Sequence, residues 1–231
     1  MANNTELQVM TSNALRAVLG ELAPAFERAH GHRISASFDP AQRMLKRIAA
    51  GEKADVAISN TAAIDRLANE GVIVGGTRRT FARYGIGLAV RAGAPKPDIG
   101  SVEAFKRVLL SAKSIACTVE GASGIYFSKL IERLGIADEV NAKAVRRPGG
   151  LIAELVAAGE AELAVQQVPE LLAVPGIELL GAFPKELRND SILSAGVFAA
   201  SKLQQEGTTL ISFLATPEAA RVFIAKGFEP A

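Results

Sequence analysis

The 231-residue sequence has few of the residues that most metal and redox sites require. Its one cysteine, Cys117, excludes an internal disulfide and lies in an apolar run that is typical of a buried structural thiol. Its two histidines, His30 and His32, flank a glycine and offer too few ligands for a metal site. We therefore expect neither a metal nor a cofactor.

Charge and aromatic content are equally modest. The net charge is +2, aromatic residues make up 5% of the sequence, and tryptophan is absent. A nucleic-acid site needs clustered basic side chains or aromatic rings that stack on bases, so no nucleic-acid partner is expected. The sequence also lacks an apolar run long enough to span a bilayer, so we expect no membrane insertion.

The first six residues lack the basic and apolar segments of a signal peptide. Two locations stay open. The protein is cytoplasmic if the sequence is the full native chain. It is periplasmic if the sequence is a mature form from which a signal peptide has been removed, and Ala2 would suit the position after a cleavage site.

The sequence does contain a regular alternation of strand and helix patterns. The apolar run Leu7–Met10 predicts a buried strand, and a helical pattern of apolar residues begins at Leu15. Ser12 and Asn13 lie between the two elements. They either cap the helix or hold an anion beside its free backbone N–H groups.

Two further strand and helix pairs predict a parallel sheet with right-handed crossovers. Asp39 and Pro40 predict a helix start in which Asp39 is the N-cap and Pro40 is the first helical residue. The next predicted strand covers residues 54–59. Asn60 and Thr61 open the helix that follows, and for them capping and ligand binding both stay open.

A second strand and helix set begins with a long apolar strand predicted over residues 81–90. The strand that reaches Thr118 leads into a turn rich in glycine and hydroxyl groups at 120–124. The strand at 161–165 ends in Gln166 and Gln167. Capping explains these two amides poorly, so their position favours ligand binding.

The two sets predict a two-lobed α/β protein. Lobe 1 is discontinuous, with residues 1–84 plus 195–231, and lobe 2 is inserted at residues 85–194. Two open α/β domains joined by two crossing strands are expected to form a cleft. Ligands of such sheets bind beyond the carboxyl ends of the strands, so the cleft is the predicted binding site.

Four segments resemble a known family. They are residues 9–15 (VMTSNAL), 48–59 (IAAGEKADVAIS), 123–135, which begins with SGIY, and 213–220 (FLATPEAA). On these segments the chain resembles the type II periplasmic substrate-binding proteins, most closely the molybdate-binding-protein-like branch. The resemblance implies a two-lobed fold that closes by a hinge over a small anionic ligand, ABC-type uptake through a permease partner, and a monomer.

The resemblance also implies a ligand held by hydroxyls and backbone amides at helix starts. Ser12 and the turn from Thr118 to Gly124 match this pattern, but the second helix start does not. Pro40 has no N–H group to donate, and Asp39 places a carboxylate where an oxyanion would lie. We therefore expect a carboxylate ligand, with molybdate or tungstate as a further alternative.

The candidate ligand-binding residues share positions at strand ends, helix starts or the turns between them. They are Ser12, Asn13, Gln42, Arg43, Asn60, Thr61, Tyr84, Thr118, Ser123, Tyr126, Gln166 and Gln167. Aconitate isomerase, which moves a proton within a tricarboxylate, is similar to the same branch. An enzyme of that kind is the alternative function, with Asp39 as the candidate base.

Overall fold

The computed structural model describes residues 5–231. The interpretation of Ala2 as the first residue of a mature chain lies outside the described residues.

Eleven strands and ten α-helices make up the described part of the chain. The strands are β1 Thr5–Thr11, β2 His32–Phe38, β3 Val56–Asn60, β4 Arg79–Tyr84, β5 Ile86–Arg91, β6 Ile115–Thr118, β7 Ala144–Arg147, β8 Leu163–Gln167, β9 Ile177–Ala182, β10 Ser191–Val197 and β11 Glu229–Pro230. The helices are α1 Arg16–His30, α2 Ala41–Ala49, α3 Thr61–Asn69, α4 Val102–Ser111, α5 Ala122–Arg133, α6 Ala137–Asn141, α7 Ala153–Ala157, α8 Val168–Leu172, α9 Gln204–Leu214 and α10 Pro217–Ala225. Short 3₁₀ turns occupy Asn13–Leu15, Gly75–Thr77 and Lys185–Leu187.

Contacts divide the chain into two compact units. The first unit comprises Met1–Arg83 and Ser191–Ala231, and the second unit comprises Tyr84–Asp190. The protein is of the α/β class, with one sheet of six strands and one of five.

The six-stranded sheet has the order β11-β4-β10-β3-β1-β2. Strands β1, β2 and β3 are parallel, as their alternation with helices predicts, and β10 pairs with β3 in the antiparallel direction. Val56, Ala57 and Ile58 of β3 are fully buried, because helices cover both faces of a parallel sheet. The carboxyl ends of β1, β2 and β3 therefore lie along one edge.

The five-stranded sheet has the order β7-β6-β8-β5-β9. Strands β6, β7 and β8 are parallel, and β5 runs antiparallel to both of its neighbours. One apolar layer, with Phe105 and Phe127, packs on one side of the sheet, and a second layer, with Ile152 and Leu155, packs on the other. The two layers hold the carboxyl ends of β6, β7 and β8 along one edge.

The single long strand predicted over residues 81–90 is wrong. The chain forms β4 and β5 there, on either side of Gly85, and the two strands belong to different sheets. Local patterning did not separate them, because the buried residues Tyr84 and Ile86 lie on either side of Gly85 and the strand pattern continues across it. Gly87 of β5 packs so closely that a Cβ atom would lie 2.6 Å from the carbonyl oxygen of Gly181.

Helix ends follow local chemistry. Helix α1 ends at Gly31, which has the left-handed backbone angle φ of 73° and donates its N–H to the carbonyl of Glu27. Ser101 caps α4, and Thr216 caps α10 before Pro217. Within residues 5–231, no helix has the length and apolar character needed to cross a membrane.

Candidate functional site

Buried polar atoms without a partner are concentrated at the carboxyl ends of parallel strands. Among the described residues six such side-chain atoms occur, and five of them lie at these ends. They are Thr11 Oγ1, Ser12 Oγ, Ser59 Oγ, Thr118 Oγ1 and Gln167 Oε1. The sixth, His32 Nδ1, lies at the opposite end, where β2 begins. Buried polar groups are normally hydrogen-bonded, so this clustering marks candidate ligand contacts.

Three of the five atoms form the rim of the first unit, by which we mean the carboxyl ends of β1, β2 and β3. Thr11 is the last residue of β1, Ser12 follows it, and Ser59 precedes the last residue of β3. Thr11 and Ser59 are each about 1% exposed. A hydroxyl group can donate to an anion, so this rim presents three donors on two adjacent strands.

Ser12 occupies a helix start without capping it. Its backbone is extended, with φ of −88° and ψ of 157°, and its side chain makes no capping hydrogen bond. The 3₁₀ turn Asn13–Leu15 follows, and its last N–H, on Leu15, donates to the carbonyl of Ser12. Capping, one of the two interpretations open for Ser12, is therefore not its role in this structure.

Asn13 is buried, and its side-chain oxygen accepts a long hydrogen bond of 3.4 Å from the guanidinium of Arg16. The same guanidinium lies 4.3 Å above the ring of Phe38, the last residue of β2. Arg16 was not among the predicted site residues. Its charge is held at the rim of the first unit, where it favours an anion.

The predicted start of α2 is wrong. The helix begins at Ala41 with Pro40 as its N-cap, so Asp39 does not cap it and Pro40 is not the first helical residue. The Asp39 carboxylate instead forms ion pairs with Arg47 and, at 3.4 Å, with Arg43. Hydrogen bonds from Arg47 to Glu52 and Asp39 raise the pKa of that guanidinium above its ordinary value.

These ion pairs occupy two of the predicted site residues, Arg43 and Asp39. Arg43 is committed to Asp39 and most of its side chain is exposed, while Asp39 faces two cations. Each carboxylate oxygen of Asp39 is therefore engaged by an arginine. Gln42 lies on the exposed side of α2.

Asn60 and Thr61 have structural partners. The Asn60 side chain accepts a hydrogen bond of 2.9 Å from the N–H of Ala63 and so caps α3. The Thr61 hydroxyl lies 2.7 Å from the hydroxyl of Ser194 and 3.2 Å from the carbonyl oxygen of Ile192. For these two residues the structure favours the capping and packing interpretation.

The rim of the second unit, by which we mean the carboxyl ends of β6, β7 and β8, contains the other two unpartnered atoms. Thr118 is 4% exposed and ends β6. A Cβ atom on Gly124 would lie 1.8 Å from the carbonyl oxygen of Thr118, and one on Gly121 would lie 2.5 Å from its hydroxyl. The two glycines let the first turn of α5 close tightly over Thr118.

The two glutamines differ in role. The Gln166 amide donates a hydrogen bond of 2.7 Å to the carbonyl of Gly150 and accepts one of 2.9 Å from the N–H of Ile152. These two bonds connect β8 to the turn before α7. Gln167 is 8% exposed and its side-chain oxygen has no partner. Both residues lie within β8 rather than after it.

Ser123, Tyr126 and Tyr84 complete the predicted set. Ser123 lies in the first turn of α5 and is 2% exposed. The hydroxyl of Tyr126 donates a hydrogen bond of 3.0 Å to the carbonyl of Leu187, so this side chain has a structural contact within the second unit. Tyr84 is buried and ends β4.

Glu170 is a notable residue that the sequence interpretation missed. It lies in α8, three residues after Gln167, and burial raises its pKa to about 8. Hydrogen bonds from the Gln167 backbone and the Gln166 side chain oppose that shift. Cys117 is buried, and desolvation raises the pKa of its thiol, which suits a structural residue. No cluster of metal-ligating side chains occurs among residues 5–231.

Comparisons with known proteins give the family and the fold of the chain. The family described as bacterial extracellular solute-binding protein matches residues 7–229. An aconitate isomerase from a Pseudomonas species is 34% identical over 232 residues, covering 98% of this chain and 88% of its own length. A molybdate-binding protein of Azotobacter vinelandii is 28% identical, covering 98% of this chain and 91% of its own.

Among solved structures, the periplasmic molybdate-binding protein of Azotobacter vinelandii superimposes with a TM-score of 0.81 at 20% identity. The match covers 97% of this chain and 99% of that chain. At this identity the likeness concerns the fold.

Proposed function

The chain belongs to the bacterial extracellular solute-binding proteins, in the molybdate-binding-protein-like branch of the type II periplasmic group, and we propose that its solute is a small carboxylate anion. One observation carries the proposal. Five buried side-chain oxygens at the two rims have no partner. Each unsatisfied buried group costs roughly 1–3 kcal/mol. An anion would remove that cost for the hydroxyls that donate to it, whereas the amide oxygen of Gln167 needs a donor group of the solute.

Hydroxyl donors and free N–H groups suit an anion. Ser12 lies at an uncapped helical start, and Thr118 lies under the uncapped first turn of α5. The positive end of a helix dipole and its unpaired N–H groups stabilise negative charge at such places. Arg16 adds a full positive charge at the rim of the first unit.

Two observations favour a carboxylate over molybdate or tungstate. At the start of α2, Pro40 offers no N–H group, and Asp39 is paired with Arg47, so a compact oxyanion that needs backbone donors loses one there. The 34% identical relative is named for aconitate, which is a tricarboxylate. We propose that the solute is passed to an ABC-type permease, as the family resemblance implies.

A panel of anions tests this proposal by thermal shift and calorimetry, because a ligand that binds the native state raises the melting temperature. We expect cis-aconitate, trans-aconitate or citrate to raise it and molybdate and sulfate to leave it unchanged. Thr118→Val keeps the shape of the side chain and removes the hydroxyl, and it should weaken binding without loss of fold. A shift with molybdate alone would instead establish an oxyanion carrier.

The 34% identity to an aconitate isomerase across 98% of this chain favours a second candidate, an isomerase on the same scaffold. Such an enzyme removes a proton from one carbon and returns it to another as the double bond moves, with no oxidant. Incubation of the protein with cis-aconitate, followed by proton NMR, separates the candidates. Conversion to trans-aconitate at a rate proportional to protein concentration establishes the enzyme, and binding without conversion establishes the carrier.

A further inference from the structure

Arg16 is a cation at a helix start, where acidic residues are the stabilising choice. It is the first residue of α1, and the first turn of α1 contains no acidic residue. The N-terminus of a helix carries partial positive charge, so a second positive charge there is unfavourable unless an anion offsets it. Helices α2 and α3, which begin at the same rim, also have no acid in the first turn, whereas α9 and α10 of this unit carry Glu206 and Glu218 in theirs.

Two contacts hold the Arg16 guanidinium at the rim of the first unit. It lies 4.3 Å above the ring of Phe38, and it donates the long hydrogen bond of 3.4 Å to the side-chain oxygen of Asn13. Phe38 is the last residue of β2 and lies opposite Thr11 in the register of β1 and β2. These contacts use one face of the guanidinium and one of its five N–H groups, and the planar fork of the others suits a carboxylate.

The strands at this rim bring no acidic partner to Arg16. Among residues 5–231, no ion pair includes it. Asp39 follows β2 directly, but Arg43 and Arg47 engage its carboxylate. Strands β1 and β2 contain one acidic residue, Glu6, which lies near the amino end of β1 and pairs at 3.1 Å with an arginine of β2.

The helices beside this guanidinium bring no acidic partner either. Helix α1 packs mainly against β2 and α10. Glu21 of α1 pairs at 3.0 Å with Lys226, which directly follows α10. The other end of α10 carries Glu218, and there its N-cap lines one groove with His30, the last residue of α1. Glu27 and Glu218 therefore lie toward the end of α1 that is remote from the rim, and the charge at the rim is available to an external anion.

The charged donor and a neutral donor lie on opposite faces of the sheet. Thr11 of β1 is opposite Phe38 of β2 and Ile58 of β3, so these three side chains share one face. The Arg16 guanidinium contacts the Phe38 ring and so lies on that face. Ser59 follows Ile58 in the strand, so its unpartnered hydroxyl points to the other face. A solute that contacts both donors needs an anionic group for each.

We propose that Arg16 binds a second carboxylate group of the solute, so that the solute is a di- or tricarboxylate and Arg16 selects it over monocarboxylates. The hydroxyls of Ser12 and Ser59 hold the first carboxylate group. The inference rests on the proposed function, since it concerns the same rim. Stacking on Phe38 fixes the plane of the guanidinium before the solute arrives, which favours a bidentate pair with the second group.

Calorimetry with trans-aconitate and NMR titration with crotonate, a monocarboxylate that also has a carbon–carbon double bond, test the proposal. Arg16→Met keeps a long side chain and removes its charge. Its affinity for trans-aconitate should fall roughly tenfold or more, because hydrogen bonds to a charged group are lost, while its affinity for crotonate should stay within about twofold. Arg28→Met is the matched control. It removes a charge from the last turn of the same helix and should leave both affinities unchanged.

The outcomes separate the two proposals. If the wild type binds trans-aconitate and Arg16→Met binds it equally well, the role of Arg16 is wrong and the proposed function stands. Equal losses for trans-aconitate and crotonate would also overturn the inference, because Arg16 would then hold the same carboxylate group in both solutes. If the wild type binds no carboxylate, the proposed function fails as well. Should Arg16→Met not fold, Arg16→Gln, which is also neutral, takes its place with the same expected results.

Discussion

Replacement of Ser12 by alanine should move ligand affinity and protein stability in opposite senses. The Ser12 hydroxyl is buried, has no hydrogen-bond partner and caps no helix. Its removal from the free protein therefore breaks no bond and relieves a desolvation cost of roughly 1–3 kcal/mol. We expect the free energy of unfolding of Ser12→Ala to equal or exceed that of the wild type.

The bound state behaves differently. A hydrogen bond to a charged partner contributes roughly 1.5–3 kcal/mol, and each 1.4 kcal/mol corresponds to about a tenfold change in the dissociation constant. Loss of the Ser12 hydroxyl should therefore weaken carboxylate binding by about 10- to 100-fold. Calorimetry gives the affinity, and urea unfolding of the free protein gives the stability.

Ser101→Ala is the matched control, since Ser101 also stands at a helix start. Its hydroxyl accepts a hydrogen bond of 3.1 Å from the N–H of Ala104, so it is a cap. This variant should lose roughly 0.5–2 kcal/mol of stability and keep the wild-type affinity. If Ser12→Ala instead loses stability and retains full affinity, the hydroxyl is structural and our reasoning about unpartnered atoms is refuted.

Three substitutions and one thiol-labelling experiment test the fold. Gly124→Ala should lower the free energy of unfolding in urea by about 1–3 kcal/mol or more, because its Cβ would overlap the carbonyl oxygen of Thr118. Gly20→Ala in α1 is the control: its Cβ meets nothing within 4 Å, so the free energy of unfolding should rise by about 0.5–1 kcal/mol. Asn60→Ala should cost about 1 kcal/mol of stability by removing a cap, and retention of full stability would show that the cap contributes nothing. Cys117 should react with a thiol reagent only on unfolding, because burial raises the pKa of its thiol, and rapid modification of the native protein would contradict that burial.

Local patterns predicted the elements where neighbours along the chain decide the structure. The parallel arrangement of β1, β2 and β3 follows from the alternation of strands and helices. The cap at Asn60 and the left-handed helix end at Gly31 depend on bonds that reach three or four residues. A short-range rule suffices for each of them.

Other side chains have partners that a local pattern does not reveal. Asp39 looked like a cap, but it pairs with Arg47, eight residues further along. The Gln166 side chain forms hydrogen bonds with backbone groups of Gly150 and Ile152, on a separate segment of the chain. The sequence predicts polar residues at strand ends, but it does not distinguish an amide with hydrogen-bond partners from one without.

The helix starts themselves divide the candidate residues into two classes. The helices after Asn60, Ser101 and Thr216 each receive a side-chain hydrogen bond at the cap, and these are structural starts. The helical segments after β1 and β6 receive none, although a hydroxyl lies beside each of them. An uncapped start forgoes about 1 kcal/mol of stability.

Other helices, such as α2, α7 and α8, also begin without a side-chain cap. Among the described residues, an uncapped start next to a buried hydroxyl without a partner occurs once in each unit, each time at the carboxyl end of a parallel strand. A cap at either position would consume the N–H groups and the hydroxyl that an anion needs. The proposed function accounts for the two open helix starts, since each forgoes the stability of a cap and keeps its N–H groups free for an anion.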